Sequence, residues 1–178
     1  MKSSLFALTA SAVCCAGIQA DVITGTITDW PESGPFMTVG DGNNSVTMWW
    51  SINYYDLGWF YGSSYGTGTD VAVATGITDV TQISDASIFN YTSSYVGPIG
   101  DADYNGNGIG TFLAWRNTTT GYYGVLRVDD IDYIDPDQPY AELDGTWWFQ
   151  TDGSGNFVPA PSTLALLGLG ALTLRRRR

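Results

Sequence analysis

The sequence contains no histidine, and its only lysine and its two cysteines, Lys2, Cys14 and Cys15, fall within the first fifteen residues. Everything after residue 20 is therefore without thiol, imidazole or amine side chains. That removes the Ser-His-Asp and Cys-His nucleophilic arrangements, a serine–lysine pair, the usual zinc ligand sets and haem or iron–sulfur ligation. It also removes disulfides, so an exported domain must rest on its hydrophobic core. Basic charge is nearly as scarce. Apart from Lys2 and Arg175–Arg178, only Arg116 and Arg127 face eighteen acids, so residues 21–157 carry two minus eighteen, a formal charge of −16. Nucleic acid is excluded as a partner, because neutralising phosphates takes Lys and Arg in numbers. Binding to anionic lipid headgroups is disfavoured on the same ground. The hydrolytic chemistry that survives is a carboxylate pair of the glycosidase kind, one member kept protonated by apolar surroundings. Sixteen Asp and two Glu are available. Glu32 and Glu142 sit beside prolines or in acidic loops, poor settings for a raised pKa. The expectation is a non-enzymatic protein. A secreted carbohydrate-active enzyme (a carboxylate-only glycosidase) and a dedicated carbohydrate-binding module are the alternatives.

Long apolar runs occur only near the ends. Met1–Ala20 has a short basic start at Lys2, an apolar run from Leu5 to Gly17 and a small-residue cleavage site at Ile18-Gln19-Ala20. This is the pattern of a secretory signal peptide, cut after Ala20, and it implies the Sec machinery and signal peptidase as partners. Residues 158–178 hold three parts in order. Val158-Pro159-Ala160-Pro161 comes first, then the uncharged run Leu164–Leu174, then Arg175, Arg176, Arg177 and Arg178. An arginine block at the end of an apolar run stays on the cytoplasmic side of a membrane. As a helix the eleven apolar residues cover roughly 16 Å against the roughly 30 Å of a bilayer core, which suits a transient transmembrane anchor better than a permanent one. In its three-part order this tail resembles the PEP-CTERM sorting signal of exosortase substrates, with Ala160 standing where that family usually has Glu. The resemblance implies passage through the inner membrane, processing by an exosortase-type enzyme, and arrival at the cell surface or in the extracellular matrix. Association with exopolysaccharide is the expectation that follows.

Between these ends lie residues 21–157, enough for one domain that buries roughly two-thirds of its unfolded surface. No amphipathic helix of ordinary length appears. Short β-branched and aromatic runs are broken by Gly, Asn and Asp, which predicts an all-β fold, an antiparallel two-layer β-sandwich with a jelly roll as its narrower form. The first strand is expected at Asp21–Asp29, broken by Trp30-Pro31. Phe36–Val39 and Ser45–Ile52 read as a hairpin about Gly40–Asn44. Asn53–Thr69 reads as a connection holding a short strand near Trp59–Tyr61, and Asp70–Thr75 as a strand. Gly76–Asn90 is ambiguous between strand and helical turns, and Tyr91–Gly100 reads as loop. Gly110–Asn117 and Gly121–Ile131 form a second hairpin. Asp132–Glu142, interrupted by Pro136 and Pro139, reads as a surface connection, Leu143–Thr151 as the last strand, and Asp152–Asn156 as a flexible hinge.

Two features point to ligands. Asp101, Asp103, Asn105 and Asn107, with Gly106 between the last two, match the opening of a calcium loop, with oxygen ligands on alternate residues and a glycine at the bend. Position twelve of such a loop is Phe112, where a bidentate carboxylate belongs. The second feature is the aromatic content, seven Trp and eleven Tyr. The period of two places Trp50 inward and Trp49 outward, and likewise Trp147 inward with Phe149 and Trp148 outward. Outward rings stack on the C–H face of a pyranose while amides and carboxylates take its hydroxyls. Trp49, Trp59 and Trp148 are the candidate carbohydrate-binding residues, with Tyr54, Tyr55 and Tyr61 behind them.

Overall fold

The computed structural model describes residues 22–32, 34–42, 44–52, 57–100, 108–135 and 140–159. The signal peptide at 1–20, the calcium loop, Tyr54, Tyr55, Ala160, Pro161, the C-terminal apolar run and Arg175–Arg178 lie outside these residues. Among the described residues the strands are β1 (Val22–Pro31), β2 (Met37–Asp41), β3 (Asn44–Met48), β4 (Trp50–Ile52), β5 (Leu57–Tyr61), β6 (Thr69–Val73), β7 (Tyr95–Gly100), β8 (Phe112–Asn117), β9 (Tyr123–Asp135) and β10 (Tyr140–Gln150). They pair antiparallel as a five-stranded sheet in the order β1-β10-β9-β8-β6, a three-stranded sheet β4-β5-β7 and the β2-β3 hairpin. The fold is all-β and sandwich-like, as the composition predicts. No helix among the described residues is long and apolar enough to cross a membrane.

Alternation along each strand builds the core between the layers. Val46, Met48 and Trp50 of one layer, with Phe60 and Ile99, meet Val71, Leu113, Trp115, Leu126, Val128, Leu143 and Phe149 of the five-stranded sheet. Each such side chain withdrawn from water contributes about 1.5–3 kcal/mol. The indole N–H groups of Trp50 and Trp115 are buried and meet no acceptor among the described residues, which offsets about 1–3 kcal/mol apiece. At Gly124 of β9 the two layers touch. A Cβ there would lie 2.4 Å from Val46 Cγ2 and 3.2 Å from Met48 Cε.

The opposite face of the five-stranded sheet is covered as well. Ala74, Ile83, Ala86 and Phe157 pack on Phe112, Ala114, Tyr123 and Val125, with Phe89, Tyr91 and Trp148 at the margin. The ambiguous stretch before Asn90 supplies this cover through 3-10 turns at Val80–Gln82 and Ala86–Ile88. Asp79 and Asp85 start these turns by accepting the backbone N–H of Thr81 and Ser87.

Several boundaries differ from the sequence expectation. β1 runs through Trp30 and Pro31, because an irregularity between Ile27 and Trp30, with Asp29 at φ 55°, re-registers it on β10. Tyr95–Gly100, expected as loop, is strand β7, held by β5 through Phe60↔Val96 and Tyr61↔Tyr95. The expected surface connection Asp132–Glu142 is mostly strand. β9 continues to Asp135, which pairs with Tyr140.

The expected hinge at Asp152–Asn156 is a docked turn. Gln150 is fully buried. Its Oε1 accepts Gly155 N–H at 3.0 Å and its Nε2 donates to Asn156 O at 3.0 Å. Gly155 O accepts Ala86 N–H at 2.8 Å, and Phe157 N–H reaches Ile83 O at 2.8 Å.

Candidate functional site

The outer face of the three-stranded sheet carries the densest group of rings that reach solvent among the described residues. In β5, Phe60 points into the core, so Trp59 and Tyr61 point out. Tyr95 of β7 pairs with Tyr61 across the ladder. Trp49 sits between β3 and β4 on the same side, and Tyr65 arrives from the 3-10 turn Ser63–Tyr65. The ring centroids are 4.7 Å apart for Trp49–Tyr61, 4.6 Å for Tyr61–Tyr65, 5.1 Å for Trp59–Tyr95 and 6.2 Å for Tyr61–Tyr95. Phe36 closes one side at 5.7 Å from Trp49. Gly97, at φ 134°, leaves room for Trp59, since a Cβ there would meet Trp59 Cε3 at 3.2 Å and Gly58 O at 2.7 Å. Ser51 Oγ and Tyr61 OH are 2.8 Å apart, which fixes the Tyr61 ring.

Four of these rings, Trp59, Tyr61, Tyr65 and Tyr95, line with Ile52 an open cleft of about 390 Å³. The volume lies in the range of small-ligand sites. Among the described residues no basic side chain lines it. Glu32 approaches its border, with Oε2 accepting the Ile52 N–H at 3.2 Å.

Trp49 and Trp59 thus lie on one ring-bearing face. Trp148 lies elsewhere, on the outer side of the five-stranded sheet. It stacks on Phe112 at 5.8 Å with 27° between planes, and the Arg127 guanidinium stands 6.0 Å from its ring centroid. Its side of β10 follows from alternation, but the cover of residues 74–91 takes that side out of open solvent. Tyr65 and Tyr95 belong to the cleft and were not singled out by sequence. The signal for Tyr95 was its place one strand away from an alternating Trp-x-Tyr, which only the pairing reveals.

The two glutamates, expected to titrate ordinarily, are both shifted upward. Burial raises the Glu32 carboxyl, against the lowering effect of the Ile52 N–H. Glu142 is raised by desolvation first, then by the charges of Asp29, Asp144 and Asp132 and a carboxyl contact with Asp29. Glu142 stands between Ala141 and Leu143, both buried between the layers, so it projects to the opposite face. Glu32 instead reaches toward β4. Among the described residues no group of three or more Asp or Glu is placed to hold a metal ion. Asp129 lies near Arg127 and Thr146. Burial works to raise its carboxyl, but hydrogen bonds from Arg127 and Thr146 outweigh it and hold it below the usual range.

Glu142 gives a pH prediction. A carboxyl raised in the folded state binds more protons there than in the unfolded chain, between its ordinary value near 4.5 and its raised one. Stability therefore falls as pH rises through that window and is level above it. Glu142→Gln is expected to raise the melting temperature at about pH 7 and to leave it unchanged near pH 3.5, where the carboxyl is protonated in both states. An unchanged or lower melting temperature at the higher pH would contradict this.

No curated protein and no solved structure matches the chain. The tail does match: residues 157–178 fit the PEP-CTERM protein-sorting motif, which marks this chain as an exported protein addressed to an exosortase-type processing enzyme.

Proposed function

We propose that the domain at residues 21–157 is a non-enzymatic component of the cell surface or extracellular matrix that associates with exopolysaccharide through the aromatic cleft. The tail holds it briefly at the inner membrane before processing. The observation that carries this reading is the convergence of Trp59, Tyr61, Tyr65 and Tyr95 on a cleft of about 390 Å³, with Trp49 packed beside them against Tyr61. Ring faces of this kind take the apolar side of sugar rings. The separation of Glu32 and Glu142 onto different faces supports binding over hydrolysis, because glycosidases need two carboxyls flanking one bond.

The test uses the full chain, purified in detergent, on a glycan array with a reducing-end assay alongside. Saturable retention without new reducing ends is expected. Trp59→Ala with Tyr95→Ala is expected to weaken retention about tenfold, since each ring contact contributes about 0.5–1.5 kcal/mol. Ile88→Ser, at a site 72% exposed on another surface, should leave retention as it was. Release of reducing ends would transfer the protein to the enzymes, and absence of retention would end the carbohydrate reading.

A further inference from the structure

The cleft is shaped and charged in a way that narrows its ligand. Its rings do not form a flat shelf. Trp59 and Tyr95 stand at 83°, Tyr61 and Tyr65 at 61°, and Tyr61 and Tyr95 at 60°. A pyranose stacks on a single exposed ring face, whereas these rings pack edge to face on one another and line the cleft at steep mutual angles. Tyr65 and Tyr95 keep 42% and 47% of their surface in solvent, so the cleft is open on that side. A compact group enclosed by several aromatic faces gains most when it is a cation, since each face carries negative quadrupole density.

The charges around it agree. Both basic side chains of the domain are engaged by carboxylates, and neither lines the cleft. Arg116 pairs with Asp70 at 3.2 Å and lies over the Tyr91 ring at 4.7 Å. Arg127 pairs with Asp129. Among the described residues no positive group lines the cleft, Glu32 accepts the backbone N–H of Ile52 in its lining, and the domain as a whole carries −16. A polyuronate would be repelled by this field, a neutral glycan would be indifferent to it, and a polymer bearing ammonium groups would be drawn in.

We infer that the cleft formed by Trp59, Tyr61, Tyr65 and Tyr95 takes the ammonium group of an amino-sugar polymer, a hexosaminoglycan with free amines, in preference to neutral or uronic-acid glycans. This inference rests on the carbohydrate reading above and specifies its substrate class. Enclosure of the ammonium by the rings supplies the preference, and the acidic field adds a long-range contribution that salt removes.

Three probes decide it with the full chain: a glucosamine hexamer with free amines, its fully N-acetylated counterpart, and an oligouronate of equal length. Binding is read by tryptophan fluorescence and calorimetry at low salt and at about 0.5 M salt, where the Debye length of roughly 4 Å suppresses the field of distant charges. The free-amine hexamer is expected to bind about three- to tenfold more tightly than the acetylated one at the higher salt. Trp59→Ala with Tyr95→Ala should abolish that preference without changing net charge, while the oligouronate stays unbound. Equal binding of the amine and acetylated hexamers would overturn the inference and leave the glycan reading standing. A preference that vanishes at about 0.5 M salt, or survives in the double variant, would assign it to diffuse surface charge and also overturn the inference. Binding of none of the three would remove both this inference and the reading beneath it.

Discussion

Gly124→Val is expected to destabilise the domain strongly, by forcing its two layers apart where they touch. The layers meet at Gly124, where even the first added carbon would lie 2.4 Å from Val46 Cγ2, well inside contact distance. Val46 is fully buried, and a branched side chain on a strand has few rotamers into which it can retreat. Forcing extra carbons into a packed core costs typically about 1–3 kcal/mol. Gly124→Ala falls in that range and Gly124→Val above it. Denaturant midpoints measure the loss, and the double variant Gly124→Ala with Val46→Ala tests its cause. If the contact is responsible, the pair is less destabilised than the sum of the singles, a coupling of about 0.5–3 kcal/mol. Strict additivity would mean that β3 and β9 separate freely at this point.

The fold class was legible in the sequence because short alternating runs and polar turns are local signals. The hairpins about Gly40–Asn44 and Thr118–Thr120 sit where the turn residues placed them. The inward position of Trp50 followed from the period of two. What was not legible depended on partners distant in sequence. Tyr95–Gly100 contains Gly97 and Pro98 and looks like loop in isolation. It becomes a strand because β5 offers a ladder and because Gly97 lets the Trp59 indole lie against it. Pro136 and Pro139 likewise concealed that β9 and β10 extend well beyond their apolar cores. Trp148 shows a different limit. Alternation fixed its side of β10, but not that residues 74–91 and 154–157 would form a further layer over that side. The candidate cleft was half legible for the same reason. Trp49, Trp59 and Tyr61 are in consecutive segments, while Tyr95 joins them through pairing.

Gln150 and Phe157 set where the folded domain stops and the sorting tail starts, and substitution at either is expected to move that boundary. Phe157 is 1% exposed, while the adjacent Val158 is 40% exposed. The chain passes from core to solvent within one residue, at the start of the Val158-Pro159 motif. The buried Gln150 amide holds this exit by spending both its oxygen and its nitrogen on the turn at Gly155 and Asn156. In Gln150→Leu the Gly155 N–H loses its acceptor, and a buried donor left unpaired costs about 1–3 kcal/mol. In Phe157→Ala a large ring leaves the cover over Phe112 and Val125, a loss of about 3–5 kcal/mol. The losses should be local as well as global. Hydrogen exchange at Gly155 and Phe157 is expected to quicken in Gln150→Leu more than exchange at Leu126 in the centre of β9, because the last segment opens before the sheets do. Limited proteolysis gives the same reading. The wild-type chain is expected to be cut from Val158 onward and resist cutting between Asp152 and Phe157, whereas Gln150→Leu loses that resistance. Ready cleavage of the wild-type chain within that turn would show that it is loose, and would detach the sorting tail from the fold by a longer free tether than the docked Phe157 allows.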